Sequence, residues 1–247
     1  MHTQIIAHRG ASADAPENTL AAFQLAYEQG AQMIEFDVRP TADGAIVVFH
    51  DDTTERWNGQ PDEIGAMPLE AVRKIDLRGA QVPTLNEVCA WARTTNLMLN
   101  VEIKVAGIEA AVAEIVRNHQ LTERVIVSCF DFDVLRTMRR VAPEWALGAL
   151  MDTQQANGDM LSYENRVLTT LAELGARAWH PSYEFPHLDA LIGRVRAAGY
   201  AVYVWTVDDP VIMRRLLDLH VDGIMSNRPA LLHEIVHAWN ARSTSNT

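Results

Sequence analysis

The stretch Ile34-Glu35-Phe36-Asp37-Val38, followed closely by Val47-Val48-Phe49-His50-Asp51, decides how this chain is read. Both runs have the apolar, β-branched character of buried strands. Alternate side chains of a strand face opposite ways, so Glu35 and Asp37 share one face, and Ile34, Phe36 and Val38 share the other. The apolar face suits packing against helices. Two neighbouring carboxylates repel, and burying them unpaired is costly. A hard divalent cation, Mg2+ or Ca2+, takes oxygen ligands and relieves both penalties. A salt-bridged pair on an exposed strand face uses the same residue types, so these two carboxylates alone leave both readings open.

Upstream, residues 4–7 read as a strand ending in His8-Arg9-Gly10, and 20–29 as a helix closed by Gly30. Strand two covers about 33–38. Asp43-Gly44 signals a tight turn before a strand at 46–49, which is either an extra strand or the second arm of a hairpin. From Thr84 onward helices alternate with strands at 98–103, 125–128, 146–150, 178–180, 201–205 and 223–225. The helix before the strand at 178–180 is expected at 165–174, and the last helix at 229–239. Regular βα alternation means a parallel sheet. The core strands number eight, near positions 5, 35, 100, 127, 148, 179, 203 and 224. The expected fold is therefore α/β, a closed (β/α)8 or TIM barrel. An open doubly wound sheet would want a glycine-rich phosphate loop after strand one, and His8-Arg9-Gly10-Ala11 does not fit G-x-G-x-x-G.

One domain is expected over 1–247, with a small insertion at about 52–82 after the strand ending at His50 and a frayed Ser/Thr/Asn-rich tail at 241–247. The insertion is polar and punctuated by Gly59, Pro61, Gly65, Pro68 and Gly79, with one short helical pattern at 69–74. Trp57, Ile64 and Met67 suit it to form a small apolar lid over a pocket, or to touch a second copy in a homodimer.

The formal net charge of −11 argues against nucleic acid and against stable membrane association, both of which call for excess Lys and Arg. No basic leader with a long apolar core opens the sequence, and no apolar run approaches the ~20 residues of a membrane span. Cys89 and Cys129 are too few for a disulfide framework or a zinc site. The expected location is the cytoplasm.

Barrel enzymes carry their chemistry at the C-terminal ends of the strands. There the sequence places His8-Arg9, Glu35 with Asp37, His50-Asp51, Glu102-Ile103-Lys104, Ser128 with Phe130, Trp205-Thr206 and Ser226-Asn227. Glu102 adds a third oxygen donor, and three carboxylates suit Mg2+ or Ca2+ better than Zn2+. Arg9 and Lys104 give a positive half matched to a phosphate, although Lys104 could simply pair with Glu102. His8 and His50 make an acid–base pair if they share the pocket, and satisfied core histidines if they do not.

Together His8-Arg9-Gly10, Pro16-Glu17-Asn18-Thr19, Glu35-Phe36-Asp37-Val38, His50-Asp51, Glu102-Ile103-Lys104, Ser128-Cys129-Phe130 and Trp205-Thr206-Val207 resemble the glycerophosphodiester phosphodiesterases, in order and spacing, from residue 5 to about 230. The resemblance implies a TIM barrel that hydrolyses glycerophosphodiesters, such as glycerophosphocholine or glycerophosphoethanolamine, to sn-glycerol 3-phosphate and an alcohol. It implies Glu35, Asp37 and Glu102 as metal ligands and His8 and His50 as the acid–base pair. It implies Arg9 and Lys104 on the phosphate with Glu17 and Asn18 nearby, and Trp205 along the glycerol side. Two positions depart from the family pattern. Asp208 stands where Asn is frequent, and Ser226-Asn227-Arg228-Pro229 replaces Thr-Asp-x-Pro. Neither is expected to touch the metal or acid–base set. The rival reading is a metal-dependent barrel isomerase or aldolase of a sugar phosphate, with Lys104 as Schiff base or proton carrier.

Overall fold

The computed structural model describes residues 3–153 and 159–245. Its strands are β1 (Gln4–His8), β2 (Met33–Pro40), β3 (Ile46–Val48), β4 (Met98–Ile103), β5 (Val125–Cys129), β6 (Ala146–Met151), β7 (Ala178–Pro181), β8 (Ala201–Val204) and β9 (Gly223–Ser226). The helices are α1 (Leu20–Glu28), α2 (Glu55–Asn58), α3 (Leu69–Val72), α4 (Leu85–Ala92), α5 (Glu109–Asn118), α6 (Phe132–Val141), α7 (Met160–Leu174), α8 (Leu188–Ala197), α9 (Pro210–Asp218) and α10 (Pro229–Ser245). All strands but β3 form a ring in the order β1-β9-β8-β7-β6-β5-β4-β2, closed by β1 on β2. These eight strands are parallel to their ring neighbours. The closing pair excludes the open doubly wound sheet. β3 is antiparallel to β2, with Val38 opposite Val48, so the segment after Asp43-Gly44 is the hairpin arm.

β2 is buried from Met33 to Arg39 because both of its faces are covered. Ile34, Phe36 and Val38 enter the large apolar layer between sheet and helices, while Met33 joins Ile6, Ile126, Ala178 and Met225 inside the barrel. Parallel register then does the assembly. It sets His8 opposite Glu35 and Asp37 opposite Glu102, all at the C-terminal mouth. Caps hold the helices that frame this mouth. Thr19 accepts from the Ala22 amide at the start of α1, and Thr84 with Glu87 forms a capping box on α4.

Three differences from expectation have physical causes. α7 begins at Met160, five residues earlier than the apolar spacing suggests, because Asp159 caps it; exposed Leu161 beside buried Tyr163 breaks the periodicity there. α10 runs to Ser245, so 241–245 form helix rather than a frayed tail; Ser and Thr weaken a helix without stopping it. The last two residues, 246 and 247, lie outside the described residues. The insertion is no apolar lid. Ile64 and Val72 bury with Val47, Phe49, Ile75, Leu77 and Val82 in a small core of its own, and Trp57 and Met67 pack against it. It holds two short helices and a 3-10 turn, Ile64–Ala66, where one helical pattern was legible.

Gly10 shows why the chain turns as it does after β1. Its φ is +83°, and a Cβ would lie 2.7 Å from the carbonyl carbon of Ala22. Gly10→Ala is expected to cost about 1–3 kcal/mol through overpacking, with left-handed strain added. Urea denaturation checks this, and an unchanged midpoint would mean that α1 yields without penalty.

Among the described residues, no helix is long and apolar enough to cross a membrane.

Candidate active site

A cavity of about 170 Å3 opens at the C-terminal mouth of the barrel. Its polar wall is His8, Arg9, Glu35, His50, Asn100, Glu102 and Lys104, and its apolar wall is Phe130, Leu150, Trp205 and Met225, with Thr206 at the edge. Trp205 is pinned by donating its indole N–H to the His180 carbonyl at 2.7 Å, and it meets Phe130 edge-on at 5.5 Å between ring centroids. Seven of the ten singled-out residues therefore line one cavity. Asp37 sits beside it, within the carboxylate cluster. Glu17 and Asn18 stand behind the wall and hold Arg9 and Asp37.

Glu35, Asp37 and Glu102 each offer an oxygen within 4.8 Å of the others, and all three residues are buried. Burial first, then the charges of Asp37 and Glu102, raise the Glu35 carboxyl well above its ordinary value. Burial and then Asp37 push Glu102 up to about 7, against the opposing pull of Lys104. Burial opposes ionisation of Asp37 too, but Arg9, Lys104, His50 and the Asn18 amide outweigh it and hold that carboxyl below the usual range. The contacts explain the split. Asp37 faces Arg9 Nε at 3.3 Å and Lys104 Nζ at 3.5 Å, and it accepts from Asn18 Nδ2 at 2.8 Å. Among the described residues, the Glu35 side chain accepts only from the Arg9 backbone N–H, at 3.1 Å. Its other oxygen, like Asp37 Oδ1, is buried with no hydrogen-bond partner among the described residues. Carboxylate oxygens that converge in a buried cluster, with Glu35 Oε1 unpartnered and Asp37 Oδ1 facing the Lys104 ammonium at 3.5 Å, could hold a hard cation.

Lys104 bonds Glu102 at 2.6 Å. Burial works against its charge, but Glu102 and Asp37 more than compensate and hold the ammonium protonated. Arg9 takes φ +55° at the end of β1 and donates to Glu17 at 3.0 Å.

His8 and His50 face this cluster from two sides. Burial, then Arg9, lower the His8 imidazole to about 4, so it is neutral at ordinary pH. Its Nε2 lies 3.9 Å from Glu35 Oε2, and its Nδ1 lies 2.8 Å from Asn227 Oδ1. His50 stands on the loop after β3. Arg39, buried near the end of β2, donates to the carbonyls of Phe49 and His50 at 3.1 and 2.6 Å and so fixes that loop. The His50 ring bonds Asp51 through Nδ1 at 2.8 Å.

Sequence reasoning missed three supports. Arg56 of α2 donates to Asp51 at 2.6 Å and to both oxygens of Glu17 at 2.9 and 2.6 Å. The insertion thus ties the carboxylate behind His50 to the one behind Arg9. Arg39 has a signal in hindsight, since a charged residue in register with Glu35 and Asp37 faces the barrel interior. The third is Asp208 with Asn227, which were expected to stay clear of the acid–base set; instead Asn227 is the hydrogen-bond partner of His8. The residue after a strand end re-enters the mouth when the neighbouring loop carries a partner for it, which spacing alone does not reveal.

Residues 8–231 match the Glycerophosphoryl diester phosphodiesterase family. A glycerophosphodiester phosphodiesterase of Caldanaerobacter subterraneus subsp. tengcongensis is 32% identical over 96% of this chain and 98% of its own length. The structure of an Oleispira antarctica phosphodiesterase in complex with the product sn-glycerol-3-phosphate is similar with a TM-score of 0.84 and 28% identity, covering 96% of this chain and 97% of that one. A glycerophosphodiester phosphodiesterase from Thermotoga maritima gives a TM-score of 0.76 and 28% identity, over 95% and 99% of the two chains.

Proposed function

This chain belongs to the glycerophosphoryl diester phosphodiesterase family, and from that membership we propose that it hydrolyses glycerophosphodiesters such as glycerophosphocholine and glycerophosphoethanolamine to sn-glycerol 3-phosphate and the free alcohol. It is an enzyme of the phosphodiesterase type. One observation carries the substrate reading: two histidines and two cations line one cavity together with Glu35 and Glu102, whose buried carboxylate cluster is completed by Asp37. Such a cavity suits a phosphate held by charge and attacked with proton transfer on both sides.

Glu35, Asp37 and Glu102 would hold a divalent cation, Mg2+ or Ca2+, and the converging oxygens of the three buried carboxylates fit that role. When bound, the ion supplies charge neutralisation at a phosphate oxygen. Arg9 and Lys104 bind the remaining phosphate oxygens, each already aimed by a carboxylate partner. One histidine takes the proton of the nucleophile, either water or the glycerol 2-hydroxyl, and the other protonates the leaving alkoxide. Trp205, with Phe130, packs against the carbon skeleton of the glycerol. The polar groups all address the phosphoglycerol half, so the head group is selected loosely. Incubation with both diesters tests the reading. Glycerol 3-phosphate should appear from each, whereas release of phosphocholine with free glycerol would put the cut on the wrong ester bond.

The Schiff-base form of the isomerase or aldolase reading needs Lys104 as a free amine. Its ammonium is instead held charged by Glu102 and Asp37.

Two further results are expected. Metal must displace protons from Glu35 and Glu102, whose pKa values lie above the ordinary carboxylate value in the metal-free protein. Mg2+ affinity should therefore rise as pH rises through about 7. Calorimetric titration on either side of that pH checks this, and equal affinities would mean carboxylates already ionised before the ion arrives. Arg56→Gln should lower kcat about tenfold by loosening His50 and Arg9 together, since small displacements of catalytic groups are costly. Steady-state kinetics decides, and an unchanged kcat would detach the insertion from the chemistry.

A further inference from the structure

The two departures from the family pattern, Asp208 and Asn227, meet each other behind His8. Asn227 Nδ2 lies 2.6 Å from Asp208 Oδ2. A carboxylate only accepts, so the atom facing it must be the amide nitrogen, and Asn227 Oδ1 is turned the other way. There it lies 2.8 Å from His8 Nδ1 and 2.7 Å from Ser12 Oγ. A carbonyl oxygen only accepts, so His8 must donate through Nδ1. Asp208 is itself fixed. Its Oδ1 accepts from the Ser226 hydroxyl and from the Asn227 backbone N–H, each at 2.8 Å. The Ser226 hydroxyl oxygen in turn accepts from the Arg228 N–H at 3.0 Å, which directs its own proton to Asp208. The bonds from Asp208 through Asn227 to His8 take their direction from the carboxylate at the root; the Ser12 hydroxyl has two acceptors in reach, Asn227 Oδ1 and the His8 carbonyl, each at 2.7 Å.

We propose that Asp208, acting through Asn227, is a positioning residue that locks His8 in the tautomer protonated on Nδ1, leaving Nε2 as the atom that exchanges protons at the reacting centre. This rests on the reading of His8 as one of the acid–base pair. The charge that orients the imidazole is placed one residue away from it, and a neutral amide transmits the orientation. Without Asp208 the Asn227 amide can flip, and a flipped amide offers His8 a donor, which selects the opposite tautomer and puts the proton on Nε2.

The test uses Asp208→Asn, Asn227→Asp and the double exchange D208N/N227D. Asn227→Asp sets two carboxylates against each other at hydrogen-bond distance. Asp208→Asn removes the root acceptor. In the double exchange an amide at 208 donates to a carboxylate at 227, which again accepts from His8 Nδ1. Each single variant should lose tenfold or more in kcat on glycerophosphocholine with KM within threefold, and the double exchange should regain most of that loss. Single variants with wild-type kcat, or a double exchange no better than the worse single, overturn the proposal. A second readout needs no substrate. Side-chain 15N spectra of histidine-labelled, metal-free protein, with His8 assigned from a His8→Gln sample, should show His8 protonated on Nδ1 and not on Nε2. In Asp208→Asn the two tautomers should mix. A His8 carrying its proton on Nε2 in the unaltered protein overturns the proposal whether or not the protein hydrolyses the diester. A His8 in the expected tautomer in a protein that hydrolyses nothing overturns the functional reading alone.

Discussion

His8→Ala and His50→Ala are each expected to lower kcat by ~10²–10⁴-fold while KM changes little, because each histidine is asked to move a proton in the transition state rather than to bind the ground state. The geometry separates them from ordinary core histidines. Both line the same cavity as Glu35, Glu102, Arg9 and Lys104. Each is also oriented through Nδ1, His8 by Asn227 and His50 by Asp51, which leaves both Nε2 atoms free for the reacting groups. The double variant should lose much less than the product of the single losses, since two groups acting in one proton relay do not contribute independently. Steady-state kinetics on glycerophosphocholine checks this. A kcat within threefold of the unaltered protein in either single variant would take that histidine out of the chemistry.

Asp37→Asn and Glu35→Gln should have opposite consequences for the metal-free protein, although both remove a buried carboxylate. Asp37 is ionised and paired with Arg9, Lys104 and Asn18. Its folded pKa is depressed, so its contribution is fully present above the unfolded carboxylate value and is lost only as pH falls through the folded value. At neutral pH the asparagine therefore removes all of it, and breaking one partner out of a buried charge pair costs about 3–5 kcal/mol. Glu35 is the reverse case. Burial and its two acidic neighbours favour its protonated form without metal, and a glutamine is close in shape and charge to that form. Glu35→Gln should unfold at the same temperature as the parent or slightly higher in EDTA. With a divalent ion at a hundredfold its Kd the parent should gain about 2.7 kcal/mol, and Glu35→Gln should gain little of it. Calorimetry of the three proteins with and without Mg2+ checks both claims. A Glu35→Gln protein that is badly destabilised in EDTA would mean that Glu35 is ionised and paired in the metal-free state.

The fold was legible because strands and helices alternate with clear apolar periodicity from Thr84 onward, and eight strands imply closure. What was not legible lay where periodicity fails. The insertion hides a small core around Ile64 and Leu77 among polar residues, and its packing partners Val47 and Phe49 belong to the hairpin before it. Its short helices carry too few residues for a helical period to show. The metal-ligand candidates were readable because strand alternation and register act locally: Glu35, Asp37 and Glu102 needed only two parallel neighbours. The supports were not. Arg56 reaches Glu17 across 39 residues of sequence, and Asn227 reaches His8 across 219, so each contact exists only once the barrel is closed. Glu17 and Asn18 illustrate the remaining gap. The family resemblance implied that they lie near the phosphate, while their side chains hold Arg9 and Asp37.

The most direct test of metal-dependent diester hydrolysis is coupled detection of glycerol 3-phosphate from glycerophosphocholine, first in EDTA and then with Mg2+ or Ca2+ restored. Release that stops in EDTA and returns with one of the two ions is the expected result. Release that continues unchanged in EDTA, or no release with either ion from a folded protein, would contradict it.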